Sequence, residues 1–217
     1  MKKQNSYMTF MLSVVTVFLC LTAANIAFAQ SQPINGTTED GFSYIITENQ
    51  VTIVGYVGSQ TDLAIPSSVE GFPVVSIGEN AFHSNTSLRK VSIHNGVMSI
   101  APGAFFGCSN LVSVDLPNGI EKLEYALFYN CESLTFIDLP ESLTHISDSA
   151  FAGCTSLVSI IVPKNVVEIG LGAFTGCISL SDLAILSPEV SYGYKVFEGC
   201  DQIEKLTFHA NESANSF

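Results

Sequence analysis

The sequence predicts a β-rich repeat: a solenoid of stacked coils, with short parallel strands on one face and turns on the other. Three observations predict it. Cys108, Cys131, Cys154, Cys177 and Cys200 are each separated by 23 residues. Phe82, Phe105, Phe128, Phe151, Phe174 and Phe197 keep the same 23-residue step. Aliphatic residues fill further columns in the same register, among them Leu88, Leu111, Leu134, Leu157, Leu180 and Ile203. Such a period marks an architecture in which each coil buries its apolar edges only against its neighbours.

The unit reads L-x-x-I-x-L-P-x-x-V-x-x-I-x-x-x-A-F-x-G-C-x-x. Its I-x-L pair (Val114 and Leu116, Ile137 and Leu139, Ile160 and Val162) alternates with period two, as a strand with one buried face must. Pro117, Pro140 and Pro163 end that strand, because proline cannot donate to the ladder. The V-x-x-I step, such as Val97 to Ile100, returns the chain along the opposite side of the coil. The Ala-Phe pair places a ring inside each coil, where successive rings stack. Gly107, Gly153, Gly176 and Gly199, with Asn130 in the same column, sit where a turn needs positive φ. Parallel strands rise ~4.8 Å per coil, so about seven coils make a body roughly 30 Å long.

This unit resembles the BspA-like leucine-rich repeat of bacterial and protist surface proteins. The segments Val51–Gly58, Leu63–Pro66 and Gly71–Gly78 are similar to that family's N-terminal opening. The resemblance spans about residues 40–208, most of the chain. It implies a leucine-rich-repeat solenoid and a role in adhesion to host matrix or plasma proteins, or to other cells.

Residues 1–29 read as a secretory signal peptide. Lys2 and Lys3 precede an apolar run from Met8 to Ala24, and Ala27-Phe28-Ala29 supplies small residues for cleavage. No second long apolar run follows, so no transmembrane segment is expected in the exported chain. Residues 30–40 read as a flexible lead, 41–58 as a strand-forming cap, and 41–217 as the solenoid, with repeats to about 208. From Ile65 to Phe82 is 17 residues where Ile93 to Phe105 is 12, so the extra residues around Val69–Pro73 are expected to loop out. Leu186 replaces proline, and Glu189 and Tyr192 replace apolar residues, so that coil is expected to bulge or sit less tightly. The last strand near Phe208 is expected to be an open edge, which invites pairing with a second copy. The alternative is a truncated module of a larger surface protein.

Composition excludes several functions. The chain carries 8 basic and 20 acidic residues, a net charge of −12. That surface repels phosphate backbones, so no nucleic-acid partner is expected. The five repeat cysteines point the same way from successive coils. They read as buried free thiols acting as small hydrophobes, with one or two disulfides as the alternative. No C-x-x-C pair and no histidine column supports a metal. His83, His94, His145 and His209 fall on turns or surfaces too far apart to cluster. No nucleophile elbow or phosphate loop is present. The expectation is therefore a protein that is not an enzyme and holds no cofactor.

What remains is the outward face of the strands. One outward column is Ser92, Asp115, Asp138, Ile161, Ala184 and Thr207. The other is Lys90, Ser113, Phe136, Ser159, Asp182 and Lys205. Asp115, Phe136, Asp138, Ile161 and Asp182 form an acidic and apolar mixture at the centre, where an exposed aromatic ring suits an interface anchor. Asp115 and Asp138 are expected to stack one rung apart, a weak cation site at best. The expected function is an exported binding protein, secreted or at the cell surface, that engages a protein partner. The alternative is a structural scaffold assembling through its C-terminal edge.

Overall fold

The structure, a computed structural model, describes residues 33–208. The signal-peptide reading of residues 1–29 and the turn assigned to His209 lie outside the described residues. In chain order the strands begin with β1 (Ile34–Thr37), β2 (Phe42–Thr47), β3 (Gln50–Tyr56), β4 (Asp62–Ala64), β5 (Ser68–Val69) and β6 (Phe72–Ile77). Then come β7 (Lys90–Ser92), β8 (Ser99–Ile100), β9 (Ser113–Asp115), β10 (Lys122–Leu123) and β11 (His145–Ile146). The last are β12 (Ser159–Val162), β13 (Glu168–Ile169), β14 (Asp182–Ile185), β15 (Ser191–Tyr192) and β16 (Lys205–Phe208). Among the described residues there is no helix, and so none long and apolar enough to cross a membrane.

The coils stack in the register of the repeat. Lys90 pairs with Ser113 and Ser92 with Asp115, and further along Ser159, Asp182 and Lys205 lie side by side. This leucine-rich-repeat solenoid is the expected fold, with one addition. The side expected to hold only turns carries a second parallel ladder, β3–β6–β8 and β10–β11–β13–β15. Its later strands are two residues long, too short for a period-two pattern to show in the sequence.

The interior is a column of rings. Phe82, Phe105, Phe128, Phe151 and Phe174 are buried, and their centroids are 5.1, 5.6, 5.4 and 5.2 Å apart with nearly parallel planes. The spacing follows from the coil rise, which brings each ring onto the same residue of the next coil. Beside the rings run the thiols. All five repeat cysteines are free and buried. Each S–H donates to the phenylalanine carbonyl of the preceding coil: Cys108 to Phe82 (3.0 Å), Cys131 to Phe105 (3.2 Å), Cys154 to Phe128 (3.1 Å), and likewise for Cys177 and Cys200. Each of these carbonyls also accepts a backbone N–H within its own coil, such as Asn85 N–H to Phe82 (3.0 Å), so the thiol adds a second bond that ties neighbouring coils together.

Each coil also contains two left-handed steps. Gly107, Asn130, Gly153, Gly176 and Gly199 occupy the expected one. At Gly153, φ 76°, a Cβ would meet the Asn130 side chain of the coil below, so a larger residue is strained there unless that side chain moves. The second step, at Asn80, Gly103, Ala126, Ser149, Gly172 and Lys195, is hard to read in the sequence because Ala126, Ser149 and Lys195 do not favour positive φ. Cross-coil bonds such as Ala126 N–H to Asp148 C=O (3.1 Å) hold it.

Several details differ from expectation. The 30–40 lead is not free over Ile34–Thr37, which pairs antiparallel with β2. The β2 edge has donors to offer, and Gly36 lets β1 close over the Tyr44 ring where a side chain would collide. The extra residues of the first coil form a tight hairpin rather than a loop, β5 on β6, with Glu70 and Gly71 both at positive φ as a two-residue primed turn requires. Leu206 and Phe208, which continue the I-x-L pair of the repeat, are exposed, because no described residue stacks beyond β16. Leu116 and Leu139 are only partly buried.

Candidate functional site

The strand face is built in two pieces. One sheet runs β4–β7–β9 and the other β12–β14–β16, and the coil between them, carrying Phe136 and Asp138, joins neither. Prolines shorten the ladder at the end of each strand. In the rung where the next coil would donate to the residue after the strand, Pro117, Pro140 and Pro163 have no N–H. Leu186 stands at that place in the following coil, and its N–H reaches the Val162 carbonyl at 2.9 Å. Leu186 therefore lengthens the ladder through Val162 and Ile185, which corrects the expectation that it loosens its coil. The coil of Phe136 lacks a donor on both sides, at Pro140 and at Pro163, but so does β9, at Pro117 and Pro140, and β9 still pairs with β7, so the prolines shorten the ladder without accounting for the break.

The five candidate residues lie along this interrupted face. Asp115 ends β9 and Ile161 and Asp182 sit in β12 and β14, with Phe136 and Asp138 in the gap. Asp115 and Asp138 are not joined by a ladder rung, contrary to expectation. Asp115 is committed elsewhere: the Ser92 hydroxyl donates to it at 2.8 Å and the Lys90 ammonium lies 3.2 Å away. The Ser92 hydrogen bond, with Lys90 adding to it, holds the Asp115 carboxyl below its usual range. Asp182 is held by Lys205 at 2.8 Å. Asp138 is exposed and has no ion pair among the described residues. Phe136 is 47% exposed and Ile161 55%. Between Asp115 and Asp138 opens a cleft of about 490 Å³, edged by Asn118, Phe136 and Glu141 and floored by Leu116 and Leu139.

The other side of the coil carries residues that sequence reasoning treated as isolated. His145 Nε2 lies 3.9 Å from Glu168 one coil on. His94 is a turn residue, as expected: it accepts from Gly96 N–H and contacts the Pro66 carbonyl. His83 stacks on Phe106, and Phe106 on Tyr129, in a second aromatic column outside the core. Its signal was present in the sequence, as an aromatic residue directly after each of the first three core phenylalanines. Among the described residues no group of three metal-ligating side chains occurs.

A stacked β-rich solenoid with an extended strand face defines a leucine-rich-repeat protein. Six copies of the BspA type leucine rich repeat region match residues 75–204, and the chain belongs to that family. It is similar to a leucine-rich-repeat protein of T. pallidum at 32% identity, with a TM-score of 0.67 over 77% of this chain and 90% of that one. It is also similar to a leucine rich cell surface protein of Faecalibacterium prausnitzii at 25% identity, with a TM-score of 0.69 over 83% of this chain and 56% of that one. A leucine-rich-repeat protein of Bacteroides ovatus matches at 25% identity and a TM-score of 0.67, over 81% of this chain. The chain spans 45% of that protein's length. No curated protein matches the chain. Leucine-rich-repeat proteins mediate protein–protein interaction, and the fold is typically a binding scaffold rather than a catalyst.

Proposed function

We propose that this protein is exported, displayed at the cell surface or secreted, and that it binds a protein partner through the interrupted strand face. The partner class is a host matrix or plasma protein, or another cell-surface protein. The observation that carries the reading is the break in the ladder at Phe136 and Asp138. Elsewhere on this face each acidic candidate is neutralised by a lysine of the neighbouring coil. At the break an exposed ring, an uncommitted carboxylate and a cleft meet, the combination expected of an interface anchor. The cell-surface description of the Faecalibacterium relative and the signal-like residues 1–29 support export.

Solid-phase binding of the purified chain to a panel of matrix and plasma proteins tests this. Saturable binding that weakens at least about tenfold in Phe136→Ala/Asp138→Ala is expected. Binding to no panel member, or binding indifferent to the double substitution, overturns the assignment of this face. A second reading, a scaffold that self-associates through β16, rests on the exposure of Leu206 and Phe208. It requires a concentration-dependent dimer in sedimentation that Thr207→Pro abolishes.

A further inference from the structure

The second aromatic column ends abruptly. His83, Phe106 and Tyr129 stack with centroids 4.9 and 4.7 Å apart and planes 7° and 12° from parallel. The next coil is in register, since Asn130 N–H donates to the Ala152 carbonyl at 2.8 Å. Yet the residue that would continue the stack is Ala152, followed by Thr175 and Glu198 in the next two coils. Ala152 is small and buried, so no ring continues the stack. A groove of about 470 Å³ begins there, floored by Ala152, Gly153 and Gly172 and walled at its far end by Tyr194 and the Lys195–Glu198 pair. That volume falls within the range of small-ligand sites.

The groove's chemistry is distinct from the rest of the surface. Its two charges cancel: Lys195 Nζ is 2.6 Å from Glu198 Oε1 and also lies over the Tyr194 ring at 5.5 Å. On a chain of net charge −12 this is a locally neutral site. Its lining combines the aromatic rings of Tyr129 and Tyr194 and the exposed Leu171 with the hydroxyl of Ser149 and the carboxamide of Asn130. Thr175 Oγ1 is already bonded to the Lys195 carbonyl at 3.0 Å. A ligand that fits must be uncharged, have a flat apolar face as wide as a ring, and present hydroxyls at its edge. A pyranose does so. An aromatic side chain satisfies the rings but leaves the polar groups unmatched, which costs binding energy once water is displaced.

We propose that the groove between Tyr129 and Tyr194 binds a neutral oligosaccharide, with one pyranose ring lying on Tyr129 where the aromatic stack stops. This site is separate from the strand face and does not depend on it.

The test uses the full purified chain and four probes: maltohexaose, cellohexaose, chitohexaose and, as the competing chemistry, a neutral hexapeptide with two phenylalanines. The chain has seven tyrosines and no tryptophan, so tyrosine fluorescence reads the site, with calorimetry as confirmation. At least one oligosaccharide is expected to bind saturably, and Tyr194→Ala, an exposed position, to weaken it about tenfold or more. Ala152→Tyr, which puts a ring at the end of the groove, is expected to abolish binding, and because Ala152 is buried its fold is checked beside it by circular dichroism. Phe136→Ala is expected to change nothing, which separates this site from the strand face. Absence of saturable binding to all three sugars up to millimolar concentration overturns the proposal. Binding that survives Ala152→Tyr, or binding of the peptide alone, does so equally.

Discussion

The ring column makes a quantitative demand on stability, because each ring touches only its two neighbours. Phe128 is fully buried, 5.6 Å from Phe105 and 5.4 Å from Phe151, with planes 10° and 16° from parallel. Truncation to alanine is expected to cost about 3–5 kcal/mol from lost transfer energy and the cavity left behind. Replacement by leucine keeps most of the apolar volume and isolates the stacking, worth about 0.5–1.5 kcal/mol per adjacent pair. A double-mutant cycle of Phe128→Leu with Phe151→Leu should therefore show a coupling of about 0.5–1.5 kcal/mol. The same cycle for Phe82→Leu with Phe174→Leu, separated by three intervening rings, should be additive within about 0.5 kcal/mol. Urea unfolding followed by circular dichroism and by tyrosine fluorescence supplies the free energies, provided the two transitions coincide. Equal coupling for near and distant pairs would refute nearest-neighbour stacking as the source of core stability.

Two further outcomes follow from the same packing. Burial pushes the Cys108 and Cys154 thiols up to about 12 from an ordinary value of 9.0. The folded state therefore keeps its protons where the unfolded chain loses them: stability is intact below about pH 9 and falls as pH rises toward 12, by about 1.4 kcal/mol per pH unit for each thiol. Cys108→Ala/Cys154→Ala should flatten that alkaline decline in urea titrations, and an unchanged slope would show that the thiols are not its cause. Leu186→Pro removes the 2.9 Å bond to Val162 and should cost about 1 kcal/mol, partly offset by reduced freedom of the unfolded chain; a variant as stable as the parent in urea titrations would show that this bond does not stabilise the ladder.

What the sequence made legible is what the repeat enforces. The ring column, the thiol column and the paired strands each need one residue type at one position of every coil, so they recur and can be read. The second left-handed step was hard to read, because cross-coil bonds rather than residue preference hold Ala126, Ser149 and Lys195 there. The second ladder escaped because two-residue strands have no periodicity. On the candidate face, the side chains of Asp115, Phe136, Asp138, Ile161 and Asp182 were placed by the alternation, but the break beneath two of them was not. The prolines do not mark it, since β9 has one on each side as well and still pairs with β7. The lysines that neutralise Asp115 and Asp182 lie one repeat away, and the outward columns contain them, yet pairing had to be seen to separate the committed acids from Asp138.

The same logic says where function can reside in such a chain. Columns that face inward are constrained by every neighbouring coil, and a change there disturbs two interfaces at once. Outward positions carry no such constraint, so a column that holds its chemistry over several coils and then changes marks a place the stacking does not explain. There are two such places. On the strand face the column Lys90, Ser113, Phe136, Ser159 places its one ring at the break in the ladder. On the turn side the column His83, Phe106, Tyr129, Ala152 drops its ring where the groove opens. If stacking alone set these residues, then filling the gap with Ala152→Tyr should be free of any functional consequence. If the gap is a site, the same substitution should remove a ligand from a chain whose fold is checked by circular dichroism.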